Sequence, residues 1–188
     1  GICVQKCPFK AINIVNLPEA LSGEEVHRFG PNAFTLYRLT VPRSGTVSGL
    51  IGRNGMGKTT MMRILAGELI PNLGRFNDPP SPEEIVEHFA ATPLQDYFKN
   101  LYEGRTRVVF KPQYVDRIPL VVSGKVIELL ERVDERGKLS SVVETLELGE
   151  VLDRDIRVLS GGELQRVAIA ACLSRQAQLY LLDEPSAY

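Results

Sequence analysis

Residues 52–59 read G-x-x-x-x-G-K-T, a spacing suited to holding a polyphosphate. Glycines let successive backbone N–H groups converge on anionic oxygens, because no Cβ obstructs either the turn or the ligand. Lys58 is placed to reach terminal phosphates, and the Thr59 hydroxyl to ligate a Mg2+ ion bridging them. Asn54, Gly55, Gly57 and Thr60 complete the cradle. Near the other end of the chain, Asp183-Glu184 closes the apolar run Leu179–Leu182. Asp183 is placed to hold the hydrated metal, and Glu184 to polarise an attacking water as general base. Gln113, after the run RVVF, is the third candidate, reaching the metal and its water. Ser160-Gly161-Gly162 opens a further helix, a second N-terminus ready for an anion. One phosphate site is already accounted for. The second therefore suggests a γ-phosphate presented by another domain of the same kind, facing this one head to tail.

These groups need elements to position them. The apolar residues Val47, Leu50 and Ile51 predict a strand feeding the glycine loop, and an amphipathic helix is expected from the loop to about Gly67. A strand is expected over 33–41, with Phe29 and Phe34 bracketing the turn before it. An aromatic face is a sequence-tolerant answer to the nucleotide's base. Both phenylalanines are equally consistent with core packing, Phe29 leaning to stacking because it adjoins His27 and Arg28. Ser81, Pro82 and Glu84 form a capping-box start. From there a helix–loop–helix is expected over 81–104, inserted after the nucleotide loop; it either packs on the core or meets a partner. Strands are expected at 107–110 and as a buried strand at 179–182, with two packing helices within 124–148.

The chain has 188 residues, 44% of them hydrophobic, enough for a proper core, and a net charge of −1. Bulk charge therefore predicts neither nucleic-acid nor membrane affinity, and any polyanion contact must be a local patch. No apolar run approaches the ~18 residues of a membrane span, and no export signal is visible; a cytoplasmic protein is expected. Cys3 and Cys7, with Pro8, match the second half of the cysteine run that binds paired iron–sulfur clusters. Two ordinary buried thiols fit the same spacing. Cys172 reads as a core residue.

With GRNGMGKTT, the Gln113 loop, LSGGELQR and LYLLDEPS in this order, the chain resembles an ATP-binding cassette ATPase from about Val41 onwards. CxxxCP, HRFGPNAF, PNLGRFNDPP, KPQYVD and DEPSAY carry a narrower resemblance, to the RNase L inhibitor family, subfamily E of the cassette proteins. The resemblance implies an α/β fold: a cassette nucleotide-binding domain of the P-loop NTPase type, its mixed sheet flanked by helices. Residues 1–17 would end a ferredoxin-like domain with [4Fe–4S] clusters, to which Cys3 and Cys7 contribute. Residues 18–188 would form a C-terminally truncated cassette carrying the insert 81–104. Lys58, Thr59, Thr60, Gln113, Asp183 and Glu184 would build the near-side site for ATP and Mg2+, while Ser160 and Gly162 would reach the ATP of a second cassette in the same full-length chain. Phe29 stands where the family usually has tyrosine. The implied action is ATP-driven splitting of the ribosome into subunits, in partnership with a release or rescue factor. The insert would touch the small subunit, with ribosomal RNA a possible contact. A fragment is expected, poor at binding and turning over ATP by itself. The rival resemblance is the motor subunit of a membrane transporter; it leaves Cys3, Cys7 and the insert unexplained.

Overall fold

A computed structural model describes residues 25–186. Cys3, Cys7 and the domain end expected over 1–17 lie outside the described residues.

Strands β1 (His27–Arg28) and β2 (Thr35–Leu36) form an antiparallel pair joined by the turn that carries Phe29 and Phe34. The far side of β1 is completed by a side chain. Asn72 accepts from Arg28 N–H at 2.9 Å and donates to Arg28 C=O at 2.7 Å, as a neighbouring strand would. Only these two residues of the expected 33–41 strand are extended and paired. Helix α1 (Lys58–Leu65) follows the glycine loop and stops at Ala66, with Gly67 in the left-handed region that terminates helices.

The strand expected at Val47–Ile51 is not present, and Val47 and Ile51 are fully exposed. A strand exists only where a neighbour takes up its N–H and C=O groups, and no described backbone pairs with this run.

The insert is two helices, α2 (Pro82–His88) and α3 (Pro93–Tyr102). The capping box is formed as expected: Ser81 N–H donates to Glu84 Oε2 at 2.8 Å, and Glu84 N–H donates back to Ser81 Oγ at 3.3 Å. Ser81→Ala is expected to lower stability by about 1 kcal/mol. For a domain of this size that is a fall of roughly 2–4 °C in a thermal melt. An unchanged Tm would show that the box adds nothing. The insert is not an appendage. Ile85, Phe89, Leu94 and Phe98 share one core with Ile64 of α1 and with Val26 and Leu36. The Tyr97 hydroxyl donates to the Leu65 carbonyl, satisfying one of the acceptors that α1 leaves open at its C-terminus.

Strand β3 (Val108–Lys111) runs parallel to β4 (Leu179–Leu182), with Lys111 opposite Leu182. Parallel strands need a long crossover. Here it contains α4 (Ile118–Val121), α5 (Val126–Val133), α6 (Leu139–Thr145), two 3-10 turns (Gly149–Val151, Ile156–Val158) and α7 (Gly161–Leu173). Their apolar faces form a second core around Val126, Leu130, Leu148, Leu164 and Val167. A two-pronged ion pair, Arg107 to Glu135 at 2.7 and 2.8 Å, ties the start of β3 to the end of α5. Residues of β4 are half-buried rather than buried as expected, because among the described residues only β3 pairs with it.

Candidate nucleotide site

The glycine loop turns where its sequence permits. Gly55 has φ 81° and Gly57 φ 89°, values that side-chain-bearing residues rarely adopt. Gly57 is the N-cap of α1 and offers no side-chain acceptor, so the helix presents unpaired N–H groups with their partial positive charge. Lys58 folds back across the loop, its Nζ donating to Gly52 C=O at 2.7 Å and Arg53 C=O at 3.2 Å. A phosphate arriving at this mouth offers the ammonium a stronger, charge-assisted partner than either carbonyl.

The parallel register then brings distant residues together. Thr59 Oγ1 donates to Asp183 Oδ2 at 2.6 Å across 124 residues of sequence. Asp183 is only 1% exposed, and its N–H donates to Lys111 C=O at 3.0 Å, extending the β3–β4 ladder. The next residue, Glu184, receives Gln113 Nε2 on its Oε2 at 3.0 Å. Thr59, Asp183, Glu184 and Gln113, each expected from sequence to act at the site, thus form one run of contacts joined to the phosphate loop. Thr60 lies beside Thr59 in α1, half-buried, and Asn54 is exposed in the loop.

This donor set fits Mg2+. That ion is commonly held by one or two carboxylates together with substrate phosphates and waters, and Thr59 with Asp183 supplies a hydroxyl and one carboxylate at a single point.

Phe29 and Phe34 are 52% and 37% exposed, so neither is a core residue. Their ring centroids lie 6.4 Å apart, and His27 meets Phe29 edge-on at 4.6 Å. Phe34 packs against the phosphate loop itself: a Cβ added to Gly57 would lie 2.4 Å from its Cζ. Phe29 is the freer face, held at the end of β1 through Asn72. Phe29→Ala is expected to weaken ATP binding by about 1–3 kcal/mol, the usual worth of a base stacked on an aromatic ring. GTP is expected to weaken in parallel, because a π-face does not distinguish bases. Competition titrations with the two nucleotides measure both, and an unchanged affinity for each would remove Phe29 from the site.

Ser160-Gly161-Gly162 caps α7 as expected from its residue types, with one addition. Ser160 is engaged in its own capping box, its N–H and hydroxyl both donating to Glu163 Oε2 at 2.8 Å. Those Ser160 contacts hold the Glu163 carboxyl below its usual pKa. Gly161 is exposed, and nothing approaches within 4 Å of a Cβ built on Gly162, so the helix end is open to a ligand from outside.

Two residues of the site escaped the sequence reading. Gln165, 3% exposed in α7, donates from Nε2 to Glu184 C=O at 2.7 Å. Lys111 is 1% exposed, and its Nζ has no hydrogen-bond partner among the described residues. Burial pushes its pKa down, while the carboxylates of Asp183 and Glu184 oppose that shift. For Lys111 the available signal was a cation ending the apolar run RVVF immediately before Pro112. For Gln165 there was none, since a glutamine in a helix after two glycines reads as solvated surface.

Known proteins give the same geometry a family. The family profile described as "ABC transporter" matches residues 37–187. "ABC transporter E family member 1" of Arabidopsis thaliana is 52% identical over 188 residues, covering 100% of this chain and 31% of that protein. Among solved structures, the crystal structure of the complex of archaeal ribosomal stalk protein aP1 and archaeal ribosome recycling factor aABCE1 contains a chain that is 57% identical. It superposes with a TM-score of 0.84, over 89% of this chain and 32% of that one. A second, described as "Model of ribosome-bound archaeal Pelota and ABCE1", gives 58% identity and a TM-score of 0.87 over 100% of this chain and 31% of that one. The chain thus spans about a third of the length of these relatives. No helix among the described residues is long and apolar enough to cross a membrane.

Proposed function

Because the chain belongs to the ATP-binding cassette family, in its subfamily E, the RNase L inhibitors, we propose that it is the first nucleotide-binding cassette of a Mg2+-dependent ATPase that splits ribosomes into subunits. The observation that carries this reading is the run of contacts from Thr59 through Asp183 to Glu184 and Gln113, at 2.6 and 3.0 Å. It joins metal ligand, general base and water-orienting amide to the phosphate loop.

In this reading Lys58 exchanges the Gly52 and Arg53 carbonyls for the β- and γ-phosphates. Thr59 and Asp183 would hold a Mg2+ ion, which would supply neutralisation of charge on the phosphate oxygens. Gln113 orients a water in line with the γ-phosphorus, and Glu184 accepts its proton as the oxygen attacks. The products are ADP and inorganic phosphate. The open N-terminus of α7 at Ser160, Gly161 and Gly162 takes the γ-phosphate of ATP held by a second cassette of the full-length protein. Nucleotide then drives closure through its higher affinity for the closed pair.

Relatives described as a ribosome recycling factor and as ribosome-bound with Pelota support the partners proposed here. These are the small ribosomal subunit, met by the insert 81–104 with ribosomal RNA among its contacts, and a release or rescue factor, in the cytoplasm. Cys3 and Cys7 are assigned to [4Fe–4S] clusters of the full-length protein; no step above depends on them. The test is a sedimentation profile of ribosomes incubated with full-length protein, rescue factor and ATP. Free subunits are expected with ATP and not without it; equal splitting in the absence of nucleotide would refute the reading.

A further inference from the structure

We propose that Gln165 is a positioning residue for hydrolysis, fixing the main chain of Glu184 so that its carboxylate faces the attacking water; the inference rests on the reading of Glu184 as general base. Glu184 has φ 45°, in the left-handed region that disfavours any residue with a Cβ. It also precedes Pro185, whose ring drives the residue before it towards extended backbone. A conformation opposed twice over persists only where its surroundings over-determine it, and such residues gather where function requires them.

Two backbone contacts supply that constraint. Asp183 N–H donates to Lys111 C=O at 3.0 Å, fixing the residue before. Gln165 Nε2 donates to Glu184 C=O at 2.7 Å, fixing the residue itself. Gln165 is 3% exposed and its Oε1 has no partner among the described residues. An apolar side chain of the same length would remove the unsatisfied Oε1 but would take away the Nε2 donor that meets the Glu184 carbonyl. The neighbouring Leu164 and Val167 are buried in the helical core, so the amide is presented from a rigid support. Gln113 holds the Glu184 carboxylate at 3.0 Å, leaving one glutamine on the main chain of this residue and one on its side chain.

Gln165→Met in the full-length protein keeps the volume and removes the donor. The kcat is expected to fall roughly 10- to 100-fold, the range set by the ~100-fold cost of a 1 Å misplacement in an active site. KM for ATP, and equilibrium affinity for a non-hydrolysable ATP analogue, are expected to stay within about 3-fold, the pattern of an interaction that matters at the reaction step alone. The melting temperature should fall by no more than about 2–4 °C, since the unsatisfied Gln165 Oε1 leaves with the amide while the Glu184 carbonyl loses one donor. In a Glu184→Gln background the same change is expected to add no further loss, as for residues acting as a unit. Wild-type kcat in Gln165→Met beside an inactive Glu184→Gln would overturn the proposal while leaving the general base in place. Full turnover in Glu184→Gln would remove the base, and this proposal with it. A loss of kcat matched by lost affinity and a melting temperature lowered by more than about 4 °C would make Gln165 merely structural and also overturn it.

Discussion

Glu184→Gln in the full-length protein is expected to lower steady-state ATP turnover by about 10²- to 10⁴-fold, the usual contribution of a positioned acid–base group. ATP binding should persist. The substitution keeps the size of the side chain and its ability to meet Gln113, which approaches Glu184 Oε2 at 3.0 Å. It also leaves untouched the phosphate contacts proposed for Lys58 and the loop amides. What is lost is a carboxylate able to take a proton. Phosphate release and equilibrium binding, measured on the same preparation, separate the two effects. Turnover within about 3-fold of wild type would contradict the assignment, because that is less than 1 kcal/mol of transition-state stabilisation.

Gly57→Ala is expected to weaken nucleotide binding by a different route. A side chain in the left-handed conformation costs about 1–2 kcal/mol, and Gly57 has φ 89°. Its Cβ would also lie 2.4 Å from Phe34 Cζ and 3.0 Å from Cε1. The ring tip is the far end of a partly exposed side chain and can move aside, so this contact adds at most about 1 kcal/mol. If loop and helix N-terminus shift to relieve both, the sum of roughly 1–3 kcal/mol corresponds to a loss of affinity of about 5-fold or more. Phe34→Ala added to Gly57→Ala should recover the packing part and leave the backbone part. Fluorescent-nucleotide titration of the single and double variants separates the two, and wild-type affinity in Gly57→Ala would show that the loop does not hold its ligand in this conformation.

Local chemistry made some of this legible in advance. Ser81, Pro82 and Glu84 fix the start of α2 through groups within one helical turn, so sequence suffices to place it. Gly57, Lys58 and Thr59 likewise act through their own backbone and the helix they begin. The strand expected at Val47–Ile51 failed because a strand is a property of two segments, and no local pattern announces whether a partner is present. Thr59 and Asp183 were each identified separately, but their contact at 2.6 Å depends on the parallel register of β3 and β4. Gln165 could not be found at all. Its role is defined by the left-handed Glu184 carbonyl it meets, 19 residues further along the chain. Lys111 ended an apolar strand in plain sight, but only burial makes conspicuous an amine with no hydrogen-bond partner among the described residues.

If the loop around Lys58 and the carboxylates of Asp183 and Glu184 serve one triphosphate, a crystal structure of the full-length protein with Mg2+ and a non-hydrolysable ATP analogue will show it held between them. Mg2+ is expected at Thr59 and Asp183, with Lys58 released from the Gly52 and Arg53 carbonyls onto phosphate. A triphosphate bound elsewhere, with Lys58 still on those carbonyls and Glu184 facing away from the γ-phosphorus, would rule this out.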